Sequence, residues 1–203
     1  MRYPEIFDFT DVIGWKNLCM RKEAISQEWD LMVNEPCTDV LEIPFFTEEF
    51  CDKFLVNIQN EETEMANKWG SLIKSYTFNG HDFYQDYSDV INEYGFEIMQ
   101  YKWGVAGRGF RQMDVKTELL TFEKMDDIRL HHDFVNITHV IKLDKNQDNG
   151  GELYFEKTDC VIKPKQGHLY IFPGQITHRY GVKMVKEGEV KYMINYCNED
   201  KNK

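Results

Sequence analysis

Two histidines and one aspartate stand at spacings that a metal ion could use. In the run LHHDFVNITHVIKL, His131 and Asp133 are separated by one residue at the start of an apolar, strand-like stretch. The two-residue period of a strand turns both side chains to one face. His178 follows another apolar run, in IFPGQITHRYG. Two imidazoles and one carboxylate form a facial set that leaves coordination positions open, the arrangement iron(II) needs to bind both a chelating co-substrate and dioxygen. An H-x-D triplet by itself is more often a solvated turn or a capping pair. Its context changes that reading, because NGGELYF and PKQGHLYIFPG precede the distal histidine and a strand carrying Lys191 follows it. The metal candidates are therefore His131, Asp133 and His178.

Lys191 lies in EVKYMINY, the last strand-like run. A 2-oxoglutarate molecule chelates iron through its keto oxygen and C1 carboxylate, which leaves the C5 carboxylate in a dry pocket that demands a cation. Lys191 is the candidate for that cation, with Arg179 and Lys183, both on an expected loop, in reserve. The other histidines have plainer readings. Alternation turns His132 away from the metal face, His139 and His168 sit within strands as packed or hydrogen-bonded residues, and His81 belongs to the polar loop FNGHDF.

The elements that must position these residues divide near the middle of the chain. The first half reads helical. From Thr47, TEEFCDKFLVNIQNEETEMANKW offers an N-cap threonine, Glu48 and Glu49 in the first turn, and Phe50, Phe54, Leu55 and Ile58 at helical spacing. VLEIPFF just before it predicts a short edge strand ending near Pro44. A second helix is expected over about Tyr87 to Trp103, interrupted by Gly95. From roughly Gln112 the texture changes to short runs, VKTELLTF, NITHVIKL, GELYFE, CVIKP, HLYIFP and VKYMINY, separated by turns such as KNQDNGG and KPKQG. Short strands at this spacing predict a sandwich or barrel, jelly-roll forms included. The expected fold is mainly β, with helices of a part spanning about 1–110 flanking a jelly-roll core over about 111–198, in one domain of 203 residues.

Composition narrows the functions. The formal charge of -11 and the lack of a basic stripe with interleaved aromatics argue against nucleic acid as a partner. No apolar run approaches the roughly 20 residues that span a bilayer, so a soluble domain without a membrane partner is expected. Cys19, Cys37, Cys51, Cys160 and Cys197 are odd in number and irregularly spaced, which predicts buried free thiols. With no secretory signal in MRYPEIFDFTDVIGW, a cytoplasmic location follows unless the chain was excised from a longer protein.

HHD, then GGELYFEKTDCVIKPKQGHLYIFPGQITH, then VKYM resembles the prolyl-4-hydroxylase-like branch of the iron/2-oxoglutarate dioxygenases, and within it the catalytic domain of the procollagen lysyl hydroxylases. NEPCTDVLEIPFFTEEFCDKFL is similar to that family's glutamate-proline-cysteine segment, aromatic-proline strand and capped helix, so the resemblance covers about residues 34–197. It implies a double-stranded β-helix (jelly roll), His131, Asp133 and His178 as iron ligands, and Lys191 as the anchor of 2-oxoglutarate. Thr138 matches the family's threonine and is implied as a co-substrate contact. The family of lysyl hydroxylases generally carries arginine where Lys191 stands, and a second histidine after the one matching His178, where this chain has Arg179, Tyr180 and Gly181. Val140 stands where the family has asparagine.

The resemblance implies hydroxylation of an unactivated C–H bond, lysine in a collagen-like peptide foremost, with iron(II), 2-oxoglutarate and dioxygen as reactants and ascorbate as reductant. Peptidyl proline, a free amino acid or a small metabolite are the alternatives within the class. A non-catalytic jelly-roll binding module and a cupin-like hydrolase are the alternatives outside it. Because these lysyl hydroxylases dimerise through this domain, the resemblance also leaves a homodimer open.

Overall fold

The computed structural model describes residues 11–59, 63–78, 84–104, 113–146 and 150–199. Alternating burial in the second half builds the two sheets that were expected. One has eight strands in the order β1 (Asn34–Cys37), β2 (Val40–Pro44), β10 (His168–Pro173), β7 (Ile137–Lys142), β12 (Val190–Glu199), β5 (Met113–Phe122), β4 (Ser71–Thr77) and β3 (Glu64–Lys68). The other has four, β6 (Ile128–His131), β11 (Tyr180–Val182), β8 (Leu153–Phe155) and β9 (Cys160–Ile162). All their pairings are antiparallel, and the molecule is a jelly roll.

Strand alternation sorts the apolar side chains into two layers. Val140, Tyr170, Phe172, Tyr192 and Ile194 from the large sheet meet Leu153, Phe155 and Tyr180 from the small one. On the other face, Ile137, Ile141, Met193 and Cys197 pack under three helices, α1 (Val12–Cys19), α4 (Glu48–Ile58) and α5 (Tyr84–Trp103). Two shorter turns of helix, α2 (Lys22–Ile25) and α3 (Trp29–Met32), join the first of these to β1. Gly95 sits inside α5 because the helix crosses β7 closely, and a Cβ there would stand 2.7 Å from the His139 ring.

Several expectations change in the first half. The helix capped by Thr47, whose Oγ1 accepts from Phe50 N at 3.1 Å, forms as read but ends at Ile58. Glu64–Lys68 is instead a strand that turns back through Trp69 and Gly70, both at positive φ, the conformation that closes a two-residue hairpin. The strand ending at Pro44 is not an edge, because β1 pairs with its outer side. The first half therefore lends four strands to the large sheet as well as its helices. Cys37 and Cys160 form a disulfide between β1 and β9, so the expectation of free thiols holds only for Cys19, Cys51 and Cys197. His81 and Gln112 lie outside the described residues.

Candidate metal centre

His131 ends β6 and Asp133 follows on the turn into β7. Both side chains are almost wholly buried, and His131 Nε2 lies 3.1 Å from Asp133 Oδ1. The other ring nitrogen, Nδ1, stands 2.9 Å from the Arg129 carbonyl, which can only accept, so Nδ1 carries a hydrogen and donates it. A neutral ring turns the Nε2 lone pair to the carboxylate, and a ring carrying both hydrogens donates to it, so the two groups converge in either state. A histidine fixed by a carbonyl through one nitrogen, with the other turned to a second ligand type, is the arrangement that orients metal ligands.

Thr138 Oγ1 donates to Asp133 Oδ2 at 2.6 Å, fixing the carboxylate from β7. Gly174 permits this, because a Cβ there would fall 2.7 Å from Thr138 Oγ1 and 2.6 Å from Val135 Cγ2. Tyr196 stands beside Thr138 on β12, its buried hydroxyl without a hydrogen-bond partner among the described residues. Burial first, then the charges of Asp133 and Glu118, push that phenol well above its usual range, so it stays a neutral donor. An orphaned donor beside a carboxylate and an imidazole suits a centre that receives a polar group. In donor type and orientation, His131 and Asp133 fit one edge of an iron(II) site.

His178 is not brought to them. Its Nε2 donates to the Thr38 carbonyl at 3.1 Å and its Nδ1 is 2.9 Å from Thr177 Oγ1, which occupies both nitrogens. The strand position opposite His131 belongs to Tyr180, whose ring centroid is 4.6 Å from the imidazole and whose hydroxyl bonds to Asp133. Among the described residues, no three His, Cys, Asp or Glu side chains converge to hold a metal.

Lys191 is likewise not brought to the pair. On β12, Val190, Tyr192, Ile194 and Tyr196 face the layer between the sheets, whereas Met193 and Cys197 face the helices. Lys191 shares the outward parity, and its ammonium pairs with Glu189 at 2.7 Å. The reserve cations also point elsewhere, Arg179 to Glu156 at 3.0 Å and Lys183 over the Tyr154 ring.

Two features near the centre were not legible beforehand. Trp69, at the tip of the β3–β4 hairpin, stacks on His131 with centroids 3.6 Å apart and planes at 26°. Its φ of 49° is unfavourable for so bulky a side chain. Beside it opens a cavity of about 490 Å³ lined by Asp133, Tyr196, Lys68, Lys116, Asp114 and Glu118. Burial opposes ionisation of Glu118, but its bonds to Lys116 and Lys68 outweigh that and hold its carboxyl below the usual range.

No protein-family model matches the chain. It is 27% identical over 208 residues to procollagen-lysine,2-oxoglutarate 5-dioxygenase 2 of Homo sapiens, across 94% of this chain and 28% of that protein. It is 24% identical over 186 residues to the multifunctional procollagen lysine hydroxylase and glycosyltransferase of Caenorhabditis elegans, across 82% and 25%. The chain thus spans only about a quarter of these curated relatives' length. Among solved structures, the viral collagen prolyl hydroxylase of Paramecium Bursaria Chlorella virus-1, in its 2OG complex, superposes with a TM-score of 0.61 at 16% identity, covering 78% of this chain and 95% of that one. A Pseudomonas putida prolyl-4-hydroxylase gives 0.63 at 12% identity, covering 87% and 98%. The fold is that of these oxygenases, and the homologues are the lysine dioxygenases that the motifs resemble.

Proposed function

We propose, from the kinship with the procollagen-lysine dioxygenases, that this chain is an iron(II)- and 2-oxoglutarate-dependent dioxygenase that hydroxylates a peptidyl side chain, lysine in a collagen-like sequence. The observation that carries the reading is the buried convergence of His131 Nε2 and Asp133 Oδ1 at 3.1 Å, with Thr138 holding the carboxylate. When bound, iron(II) and 2-oxoglutarate supply the activation of dioxygen that C–H hydroxylation requires, with ascorbate keeping the metal reduced.

The chain's own groups do the rest. The Arg129 carbonyl keeps hydrogen on Nδ1 of His131, so Nε2 remains a ligand. The Trp69 stack holds the ring plane and shields one side of the centre from water. The Tyr196 hydroxyl offers a hydrogen to whatever enters beside Asp133. The adjoining cavity admits a side chain, and Asp114 in its wall gives an approaching ammonium a carboxylate to face. Positioning and exclusion of water are the protein's share of such chemistry.

Mass spectrometry of lysine- and proline-containing peptide libraries, incubated with the chain, iron, ascorbate and 2-oxoglutarate, tests this directly. Succinate release with a gain of one oxygen on lysine is expected. Gain on proline would change the assigned target, and no turnover of 2-oxoglutarate with any peptide would overturn the reading.

A further inference from the structure

The loop that carries Asp133 is a wall between two cavities. Asp133 and Val135 line the one beside the candidate centre, whereas Asn136 and Ile137 line a second of about 550 Å³. Trp103, Pro173 and Ile176 also line the second, which gives it aromatic and aliphatic surface. Two of its polar groups are already engaged, Asp39 by Trp103 Nε1 at 3.2 Å and His178 by Thr38 and Thr177.

Phe134 belongs to that wall. Its φ of 58° is a conformation that costs energy for a bulky side chain. The side chain is nevertheless 78% exposed, with the His132 ring beside it at 6.0 Å between centroids. The Phe134 N–H donates to the Gly174 carbonyl at 3.0 Å and the Gly174 N–H to the Asn136 carbonyl at 3.2 Å, which ties the loop to the segment carrying Ile176. Ile176 is 84% exposed. A strained, exposed aromatic and an exposed aliphatic residue on adjoining segments add nothing to the core, and such a patch marks a surface that meets a partner.

The partner that fits is the peptide itself. A formal charge of -11 favours a lysine-bearing peptide over an acidic one. With its lysine in the cavity beside Asp133, the peptide's flank has to cross the wall. A polyproline segment rises about 3.1 Å per residue with about three residues per turn, so side chains about three residues apart point the same way and stand roughly 9 Å apart. That is close to the roughly 10 Å between packed layers, the thickness of such a wall. A single collagen-like strand therefore turns its lysine to one cavity and the matching residue of the next repeat to the other. Proline suits the second cavity, because its rigid ring packs on aromatic and aliphatic walls.

We propose that the second cavity is a docking subsite for a proline of the substrate peptide, one repeat away from the target lysine, and that the strand passes over Phe134 to reach it. Phe134 and Ile176 then select the sequence around the lysine. This inference rests on the dioxygenase reading above and extends it from the target residue to its flank.

The test is fluorescence anisotropy of labelled peptides with the manganese(II)-loaded chain, held anaerobically with 2-oxoglutarate. One peptide carries proline at the third position on either side of a single lysine in a glycine-serine background, and the other carries the same prolines at the second position. The first should bind about 10-fold more tightly, the effect of burying one apolar ring. Phe134→Gly and Ile176→Ser should each reduce that preference to about two-fold, while affinity for the second peptide stays within about three-fold of wild type. Phe134→Gly should leave the melting midpoint nearly unchanged, because relief of the positive φ offsets the freedom glycine adds to the unfolded chain. A residue that merely supported the rim would not separate binding from stability in this way. Equal binding of the two peptides by the wild type, binding of neither, or an undiminished preference in both variants would overturn the subsite. Succinate release from the iron(II)-loaded chain in air separates the two failures: release with no preference between peptides overturns only the subsite, and no release with any peptide overturns the dioxygenase reading.

Discussion

His131 Nε2 and Asp133 Oδ1 converge at 3.1 Å with Thr138 holding the carboxylate, and that convergence sets what substitutions do. Removing either takes away half of the convergent donor pair, so His131→Ala and Asp133→Ala should each abolish manganese(II) or iron(II) binding measured by calorimetry. Thr138→Val keeps the volume but frees the Asp133 carboxylate, and a loss of about 10-fold in metal affinity is expected from removing such an orienting bond. His178 gives the sharper contrast. Its two nitrogens are engaged by Thr38 and Thr177, and Tyr180 holds the strand position opposite His131. His178→Ala should therefore leave metal affinity within about three-fold, the effect of a polar group with no part in the site. Loss as complete as in His131→Ala would show that His178 leaves Thr38 when metal arrives. The motif made His131 and Asp133 legible because one-residue spacing keeps the two groups close, although β6 ends at His131 and Asp133 reaches it from the turn into β7 and not from a shared strand face. His178 and Lys191 were named by type and order along the chain, and neither fixes where a side chain points.

At the scale of elements, the hairpin of β3 and β4 is the piece the sequence concealed. Helical periodicity continues past Ile58 in EETEMANKW, and only the positive-φ pair Trp69 and Gly70 converts the remainder to a strand. A tryptophan in that conformation is unfavourable, and the stack on His131 accounts for its presence there. Trp69→Gly should change the melting midpoint little, since relief of backbone strain offsets the lost contact. Metal affinity and the Michaelis constant for peptide should both worsen. Equal loss in stability and function would make the hairpin a mere support.

The crossing of α5 and β7 carries a second prediction. Burial alone pushes His139 down to about 4, and its Nε2 has no hydrogen-bond partner among the described residues. A base held below its unfolded value near 6.5 contributes stability at higher pH and loses it as pH falls towards the folded value. The cost should reach about 3 kcal/mol between pH 6.5 and 4. A denaturant series over that range should show the fall, and it should be reduced in His139→Leu. The strands of the second half were legible because each shows alternation or a short apolar run between turns. Neither β6 nor β11 was, since IRLH and YGV are not set off as apolar runs between turns as the equally short β8 and β9 are.

At the scale of the molecule, the two sheets meet chiefly through apolar side chains, and one covalent link joins their ends. The Cys37–Cys160 disulfide ties β1 of the large sheet to β9 of the small one across a sequence separation of 123. Irregular spacing hid it, because the pairing follows from strands brought together by the jelly roll and not from proximity in the chain. Closing so long a loop removes much of the freedom of the unfolded chain, worth about 4 to 5 kcal/mol in the loop-entropy account. The link also lies beside Thr38, whose carbonyl holds His178. Cys37→Ser with Cys160→Ser should therefore lower unfolding free energy by about that amount in a urea series, and reduction of the wild type should reproduce the change. Cys19, Cys51 and Cys197 are buried free thiols, and burial pushes Cys19 and Cys51 up to about 12 and Cys197 higher still, so they should resist alkylation in the folded chain. Counting thiols with and without reductant under native conditions separates the pair from the three. If the double variant unfolds at the same urea midpoint as the oxidised wild type, the sheets are held together by their apolar layer alone.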